Sequence, residues 1–585
     1  MKRVIMNLGA MNLGIMKFLC ILCILGGFAS AAWALEREVF TITKYDLQIT
    51  LEPQQQRLGA RGKITLRNDS AHPQKIAALQ ISSSLDWRSI RVDGKPLQYV
   101  SQPYTSDIDH TGALSEAIVT LPAEIKPKDS VELEIGYEGV IPLDATRLTR
   151  IGVPEEIAKH SSWDQISPSF TAVRGAGYVA WYPITTESAD FSEGNSLFEV
   201  VDRWKQREQD ASMKLSLSTD AGTDDATLML LCNGVGTNFD ARGGSPHYHN
   251  ANCEYDRLGL ATPTFAMANY LVQSKAPLNL LSLSGDGAGA ATYSNALDPA
   301  MKFVSGWFGQ PTAPVTIADF ADPNSAAFES GTLLMASMAA EDSKLAGANL
   351  VHELVHSALP SSRPWVYEGL AHFAEAMYRQ QQGGREAALD LLGLHRAAFL
   401  DSEKEVSAAL AKNSGQPLAT TFDETYYRSK AAYVWWMLRD MVGDDALKQA
   451  IRQYRAADDT DKDPRYVQHL IEAAAKRDLG WFFDDWVYQD RGLPDFHVQS
   501  VHPWTTEKGV QFITVTLENL GTAGAEVPFT VIFGGGEISK RMEVRAKSTA
   551  TTRVELLGTA SQIVVNDGSV PESDLTNNVF KIPAP

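Results

Sequence analysis

Two histidines and a glutamate near the middle of the chain stand at a spacing that suits a metal ion. They are His352, Glu353 and His356, the fixed positions of an H-E-x-x-H motif. On a helix, residues four apart lie one above the other, so both imidazoles can face one ion while Glu353 projects beside them toward a metal-bound water. These residue types predict a zinc hydrolase with Glu353 as general base. Because the chain holds 12 histidines, the motif needs independent support.

Support comes from the next segment, which predicts a second helix beginning near Pro364 after a turn rich in proline and serine. A carboxylate on this adjacent helix would complete a site of two histidines and one glutamate, with one position open to water. Two glutamates compete for this role, because Glu368 and Glu375 are seven residues apart and share one helix face. Eleven residues separate His356 from Glu368 and 18 separate it from Glu375, so the spacing leaves the choice open.

The elements that position these residues belong to a long and acidic chain. It has 585 residues, with 52 basic and 71 acidic side chains and a formal net charge of −19. At roughly 100 to 200 residues per domain, this length predicts three or four domains with full cores. Nucleic acids and anionic lipids are bound through clustered lysine and arginine, so the acidic balance disfavours a non-specific hold on either. We therefore expect no nucleic-acid partner.

The segment 1–34 has the pattern of a secretory signal. Basic residues precede an apolar run from Phe18, and positions 32–34 supply an A-x-A cleavage site. We expect an exported protein, periplasmic or extracellular, without a membrane span once the signal is removed; an uncleaved anchor helix is the alternative. Cys232 and Cys253 remain in the mature chain, and an oxidising compartment favours a disulfide between them.

The rest of the chain divides into three parts by its hydrophobic pattern. Residues 35–273 alternate apolar and polar side chains in β-branched runs, which predicts an antiparallel β domain. Residues 495–585 return to this pattern and predict a C-terminal β-sandwich. Between these two β regions, residues 274–494 show a 3.6-residue period that predicts a mainly helical domain, with helices at 345–359, 365–379, 386–400, 430–441 and 444–455. The expected fold class is therefore multidomain α+β.

The start of the second motif helix carries a resemblance. The sequence W-V-Y-E-G at residues 365–369 fits the W-x-N-E-G pattern of the aminopeptidase N family of gluzincin zinc metallopeptidases, with Tyr367 in place of asparagine. The resemblance implies one zinc ion per chain, with Glu368 as third ligand and Glu375 orienting a ligand histidine. In the family, the ligand glutamate usually follows the second histidine at the longer distance that Glu375 has here, whereas Glu368 stands closer to His356. Glu375 therefore stays the alternative ligand.

Other segments extend the resemblance over nearly the whole mature chain. Residues 478–486 and 492–494 look like the end of the catalytic domain in bacterial members, and residues 93–96 and 181–183 look like parts of the N-terminal domain. The resemblance implies a saddle-shaped N-terminal β domain and a thermolysin-like catalytic domain. Residues 566–578 look like the last hairpin of an adhesion-type immunoglobulin-like module, which implies that kind of sandwich at the C terminus.

Two further roles follow from the resemblance. In the family, the glutamate of a G-x-M-E-N segment upstream of the zinc helix holds the free amine of the substrate. The corresponding residues 326–330 keep only that glutamate, Glu329, which is the expected amine anchor. The family's transition-state tyrosine lies in a Y-E-K-G pattern, and its phenol donates to the developing oxyanion. Here an offset of one residue makes Tyr427 the match, and Tyr426 is the alternative.

Together these parts predict an exported zinc aminopeptidase that acts on peptides. Zinc would acidify a water, Glu353 would accept its proton and pass it to the leaving amine, and a tyrosine would donate to the oxyanion. Two alternatives stay open. An endopeptidase on the same scaffold would cut blocked peptides, and a catalytically quiet member would keep the fold to bind peptides or surface partners.

Overall fold

A computed structural model describes residues 35–194, 196–220, 228–237, 248–339, 343–410, 417–460, 463–507 and 510–583. The predicted signal at residues 1–34 lies outside the described residues. Three regions follow one another along the described chain: a β-rich region, a mainly helical region and a second β-rich region. This order agrees with the order expected from the hydrophobic pattern.

The first region contains most of the strands. Its elements are β1 Phe40–Glu52, β2 Arg57–Asn68, β3 Gln74–Ser82, β4 Leu85–Val92, β5 Lys95–Pro96, β6 Gln98–Thr105, β7 Ala113–Ile125, β8 Ser130–Val140, α1 Thr146–Arg150, α2 Glu155–Ser161, β9 Phe170–Val173, α3 Ser196–Glu208, β10 Ser212–Asp220, β11 Leu228–Cys232, β12 Val235–Thr237, β13 Tyr248–Tyr255 and β14 Phe265–Asn269. The strands form sheets in the orders β12-β13-β10-β1-β2-β8-β4-β5, β3-β7-β6 and β11-β14-β9.

Strand β1 shows why these segments form a sheet with one apolar face. Tyr45, Leu47 and Ile49 are buried, and the residues between them are exposed. Successive side chains of a strand point to opposite faces, so this alternation places all three in the core. Strand β1 pairs antiparallel with β2 and parallel with β10, while the other pairs of the eight-stranded sheet are antiparallel.

A covalent bond joins two sheets of this region. Cys232 at the end of β11 forms a disulfide with Cys253 of β13, as the sequence predicts. Because β11 belongs to the three-stranded sheet and β13 to the eight-stranded sheet, the bond ties the two sheets together.

The middle region combines one mixed sheet with long helices. Its elements are β15 Leu271–Lys275, β16 Leu278–Ser282, α4 Gly287–Trp307, β17 Val315–Ala318, β18 Phe328–Ser330, β19 Leu333–Met335, α5 Ser343–Ala358, α6 Pro364–Leu410, a π-helical turn Thr425–Lys430, α7 Ala431–Val442, α8 Asp444–Gln453, α9 Tyr466–Ala475, α10 Gly480–Phe483 and a second π-helical turn Asp484–Tyr488. The sheet order is β15-β16-β17-β19-β18. The boundary expected after residue 273 falls inside β15, so this sheet begins slightly earlier.

Helix α6 is interrupted at one residue. Gly384 has φ 82° and ψ −178°, outside the helical range. Glycine populates positive φ readily, whereas other residues meet a steric penalty there. The two helices expected at 365–379 and 386–400 are therefore consecutive parts of one long element with a break between them.

The last region contains the strands β20 Phe496–Thr505, β21 Gln511–Asn519, β22 Ala525–Phe533, β23 Gly536–Val544, β24 Ser548–Leu556, β25 Ala560–Val565 and β26 Val579–Lys581. They form two antiparallel sheets, β20-β21-β24 and β23-β22-β25-β26. Their apolar faces share one core with the helical region. A hydrogen bond also joins the two regions, since Trp486 donates through Nε1 to the Gly524 carbonyl at 2.7 Å. Within the described ranges, no helix has the length and apolar character needed to cross a membrane.

Candidate metal centre

Helix α5 presents both motif histidines to one buried point. The Nε2 atoms of His352 and His356 lie 2.9 Å apart, and both side chains are buried. The ring of Tyr367 stacks on the His356 ring with centroids 3.8 Å apart, so the tyrosine that departs from the family pattern packs on a motif histidine. Burial lowers the pKa of His356 to about 3, which keeps this imidazole neutral, as a metal ligand must be.

Glu368 faces the same point from helix α6. Its Oε2 lies 3.6 Å from Nε2 of His352, and its Oε1 lies 3.6 Å from Nε2 of His356. Burial opposes ionisation of this carboxyl, but the positive charge of Arg428 together with His356 holds its pKa well below the usual range. The three side chains thus converge through two nitrogens and one ionised carboxylate.

The residue after Glu368 explains how closely the helices approach. A Cβ atom built on Gly369 would lie 2.5 Å from the Cβ of Ala431 and 3.1 Å from the ring of Trp435. Only glycine leaves room for α7 at this distance. The glycine therefore lets the turn before α7, which carries Arg428, come within 3.7 Å of Glu368.

Glu375 lies on the opposite side of His352. Its Oε1 accepts a hydrogen bond from Nδ1 of His352 at 2.9 Å, and its Oε2 contacts Nδ1 of His372 at 3.1 Å. The structure therefore separates the two competing carboxylates: Glu368 faces the Nε2 atoms of the motif histidines, and Glu375 faces Nδ1 of one of them.

Glu353 is buried beside the histidines without a polar partner. Neither of its carboxylate oxygens has a hydrogen bond within the part of the chain that the structure describes. Burial raises its pKa well above the usual range, and the negative charges of Glu329 and Glu368 add to this. A buried carboxyl without a partner is costly, which is typical of a group kept for proton transfer.

Glu329 reaches the same site from the edge strand β18. Its Oε2 lies 3.1 Å from Nε2 of His352, and its Oε1 forms an ion pair with Nη1 of Arg428 at 3.0 Å. The sequence predicts Glu329 at the site but not its cation partner. Arg428 directly follows the candidate tyrosine Tyr427, so a basic residue was visible in that segment. Nothing in the sequence shows that its guanidinium group points toward Glu329.

The π-helical turn Thr425–Lys430 separates the two candidate tyrosines. Tyr427 lines the cleft together with Glu329 and Glu368, and burial raises its pKa well above the usual range, so its phenol stays protonated and able to donate. Tyr426 is 1% exposed, and the ammonium of Lys430 lies 5.1 Å from its ring centroid. The wider turn of a π-helix, which is common at functional sites, thus aims the neighbouring rings differently.

The cleft itself lies between the first two regions and encloses about 190 Å³. Tyr178 and Lys205 line it from the first region, and Glu424 lines it beside the π-helical turn. Sequence reasoning missed Lys205, which has no recognisable motif and lies far from His352 along the chain. It also assigned no role to His372, although this residue stands inside the segment that contains Glu368 and Glu375.

The donor set of this site fits zinc. Within the described ranges, one group of donors close enough to share an ion is Glu329, His352, Glu368 and His372, and a neighbouring group is His372, Glu375 and His395. His356 adjoins the first group through its contacts with His352 and Glu368. The separations of 2.9 to 3.6 Å among the Nε2 atoms and the Glu368 oxygens bracket the spacing of about 3.3 Å expected between ligands of a tetrahedral zinc. Two imidazoles and one carboxylate are a common catalytic zinc set.

No protein-family model matches the chain, and no curated protein matches it in sequence. Solved structures do match. The structure of Legionella pneumophila aminopeptidase A in complex with aspartic acid is 13% identical, with a TM-score of 0.56; the match covers 91% of this chain and 59% of that chain. Two structures of the M1 zinc metallopeptidase from Deinococcus radiodurans, one of a mutant, are each 15% identical. Their TM-scores are 0.43 and 0.42, and the matches cover 77% and 74% of this chain and 94% and 90% of theirs.

The likeness to the Legionella protein concerns the fold alone at this identity. It extends over most of the chain, although the chain spans only about three fifths of that protein's length. The chain therefore shares the multidomain fold of this aminopeptidase, with a β-rich first region and a helical region that carries the candidate metal centre.

Proposed function

We propose that the protein is a zinc metallopeptidase that hydrolyses peptide bonds and removes residues from the amino end of its substrates. The observation that carries this proposal is the convergence of His352, His356 and Glu368 on one point beside the unpartnered carboxylate of Glu353. A module that only binds peptides has no need of a buried, unpaired carboxyl next to metal-binding side chains. The catalytically quiet alternative is therefore the weaker one.

In the proposed reaction, His352, His356 and Glu368 hold one zinc ion, and Glu375 orients His352 from behind. Zinc when bound would supply Lewis-acid activation of a water and of the scissile carbonyl. Glu353 accepts a proton from the attacking water and donates it to the leaving amine. Tyr427 donates a hydrogen bond to the oxyanion that develops on the carbonyl oxygen, since this residue lines the same cleft.

The choice between removal of terminal residues and internal cleavage rests on Glu329. A carboxylate at the cleft edge can hold the ammonium of a free amino terminus. Arg428 already neutralises this carboxylate at 3.0 Å, which weakens its attraction for a second cation. This ion pair favours a second candidate, an endopeptidase on the same scaffold.

Export completes the proposal. The pattern of residues 1–34 and the disulfide between Cys232 and Cys253 support a periplasmic or extracellular enzyme, because disulfides persist in oxidising compartments. The saddle-shaped, thermolysin-like and immunoglobulin-like descriptions of the three regions stay predictions from the resemblance.

The test uses mature protein of residues 35–585 with its zinc content measured. Hydrolysis of alanyl p-nitroanilide is compared with cleavage of an internally quenched peptide blocked at its amino end. We expect one zinc per chain, cleavage of the free-amine substrate, and a loss of at least about 10³-fold in Glu353→Gln with zinc retained. Cleavage of only the blocked peptide would establish the endopeptidase, and zinc binding without any cleavage would overturn the peptidase.

A further inference from the structure

Lys205 is a largely buried lysine at the cleft that forms no ion pair within the described part of the chain. It lies on helix α3, is 6% exposed, and lines the cleft together with Glu329, Glu368 and Arg428. Its ammonium has no hydrogen bond or ion pair within the described ranges. By contrast, the fully buried Lys430 is paired with Asp490.

The nearby acidic groups do not act as its partner. Asp202, one turn earlier on α3, accepts hydrogen bonds from the backbone of Phe422 and, at 3.0 Å, from Gln206. Glu368 faces the motif histidines, and Glu329 is paired with Arg428. Glu424 lines the cleft and favours the charged form of Lys205, but it forms no ion pair with it in the described structure.

An ammonium that lines a narrow cleft without a protein partner has lost part of its hydration without compensation. Burial accordingly lowers the pKa of Lys205, and the positive charge of Arg428 lowers it further. The cost of an ammonium without a protein partner is removed if a bound ligand supplies the anion that pairs with it. A carboxylate entering the cleft would restore a charge-assisted hydrogen bond to the ammonium.

We propose that Lys205 is a specificity-determining residue that binds a carboxylate of the peptide substrate. The inference rests on the proposed peptidase function and adds the substrate class. Two sources carry this chemistry: an aspartate or glutamate side chain at the amino-terminal residue, and the terminal carboxylate of a short peptide. Both enter the same cleft, and both would be favoured over their neutral amides.

The experiment compares isosteric pairs that differ only in this charge. Glutamyl and glutaminyl p-nitroanilides test the side-chain source, and Ala-Ala-Ala and its carboxyl amide test the terminal source. The ratio of kcat/KM for the acid over the amide is measured for wild type, Lys205→Met, Lys205→Arg and a matched surface control, Lys214→Met. Lys214 is exposed and pairs with Glu254 on the first sheet, away from the cleft.

We expect one of the two wild-type ratios to exceed one, to fall about tenfold or more in Lys205→Met, and to survive in Lys205→Arg and in the control. The pair that responds identifies the source. Equal ratios in wild type and Lys205→Met for both pairs would overturn the inference while leaving the peptidase intact. Thermal unfolding of each variant confirms that the methionine side chain is accommodated.

Failure of the proposed function is recognised separately. If the zinc-loaded wild type cleaves none of these substrates, binding of Ala-Ala-Ala and of its amide is measured by calorimetry with wild type and Lys205→Met. Tighter binding of the acid that depends on Lys205 would uphold the carboxylate site without catalysis. Equal binding of acid and amide would overturn it.

Discussion

His352 contacts glutamates through both of its ring nitrogens, with Glu375 at Nδ1 and both Glu329 and Glu368 at Nε2. Glu375 accepts a hydrogen bond from Nδ1 at 2.9 Å, and Glu368 lies 3.6 Å from Nε2. Burial opposes ionisation of Glu375, but His372 and His352 hold its pKa well below the usual range, so it stays a charged acceptor. Such a partner fixes the tautomer and orientation of the imidazole when Nε2 binds a metal ion.

Loss of the negative charge at Glu375 should weaken zinc binding without abolishing it. In Glu375→Gln the amide can still contact Nδ1, but it no longer stabilises the imidazole electrostatically. We expect the zinc dissociation constant to rise about 10- to 100-fold, measured by competition with a chromogenic chelator. Glu386→Gln, an exposed position on the same helix, serves as the control. Unchanged affinity in Glu375→Gln would contradict the orienting role.

Removal of Glu368 should have the larger effect. Its carboxylate is the one that faces both Nε2 atoms, so Glu368→Ala is expected to leave only two strong ligands. We expect this variant to be isolated with much less than one zinc per chain, by elemental analysis, under conditions in which Glu375→Gln retains its metal. If Glu368→Ala keeps stoichiometric zinc and a Glu375 variant loses it, the ligand is Glu375.

The sequence predicts the motif and the order of the regions, but not how the charges meet in the cleft. Periodicity predicts α5 and α6 because each buries an apolar face. Few residues separate His356 from Glu368 because α5 ends at Ala358 and α6 begins at Pro364, so that only a tight turn joins the two helices. Arg428 escaped prediction because a π-helical turn shifts the residues that share a face.

The cleft was the least predictable part of the site. Lys205 comes from a helix of the first region, and its approach to Glu424 and Arg428 depends on how two regions pack. The hydrophobic period of a sequence shows which face of a helix is buried. It does not show which polar residues of another region that face contacts. The disulfide was predictable because only two cysteines remain once the signal segment 1–34 is set aside.

The two neighbouring tyrosines should differ in their effect on the rate. Tyr427→Phe removes the phenol that lines the cleft, so we expect kcat on alanyl p-nitroanilide to fall about 10²-fold or more with KM little changed. Tyr426→Phe alters a ring in the core and should leave kcat within a few-fold of wild type. The opposite ranking would assign the oxyanion contact to Tyr426. Zinc content is measured in both variants, so that metal loss is not mistaken for a catalytic defect.

A buried glutamate outside the candidate metal centre should make the first region less stable as pH rises. Glu208 on α3 accepts a hydrogen bond from the Tyr45 hydroxyl at 2.9 Å, and burial raises its pKa to about 7 from an ordinary value of 4.5. The folded state therefore holds a proton that the unfolded chain releases near pH 4.5. Its contribution to the free energy of unfolding is complete below that pH and is lost as pH rises through about 7.

Glu208→Gln keeps an acceptor for Tyr45 but cannot ionise, so it should escape this loss. At ~1.4 kcal/mol per pH unit, we expect its free energy of unfolding relative to wild type to improve by roughly 2 to 3 kcal/mol between pH 5 and pH 8. Urea unfolding at both pH values measures this difference. The exposed Glu124→Gln on β7 should show no such change. A constant difference between Glu208→Gln and wild type across this range would mean that Glu208 titrates alike in the folded and unfolded chain.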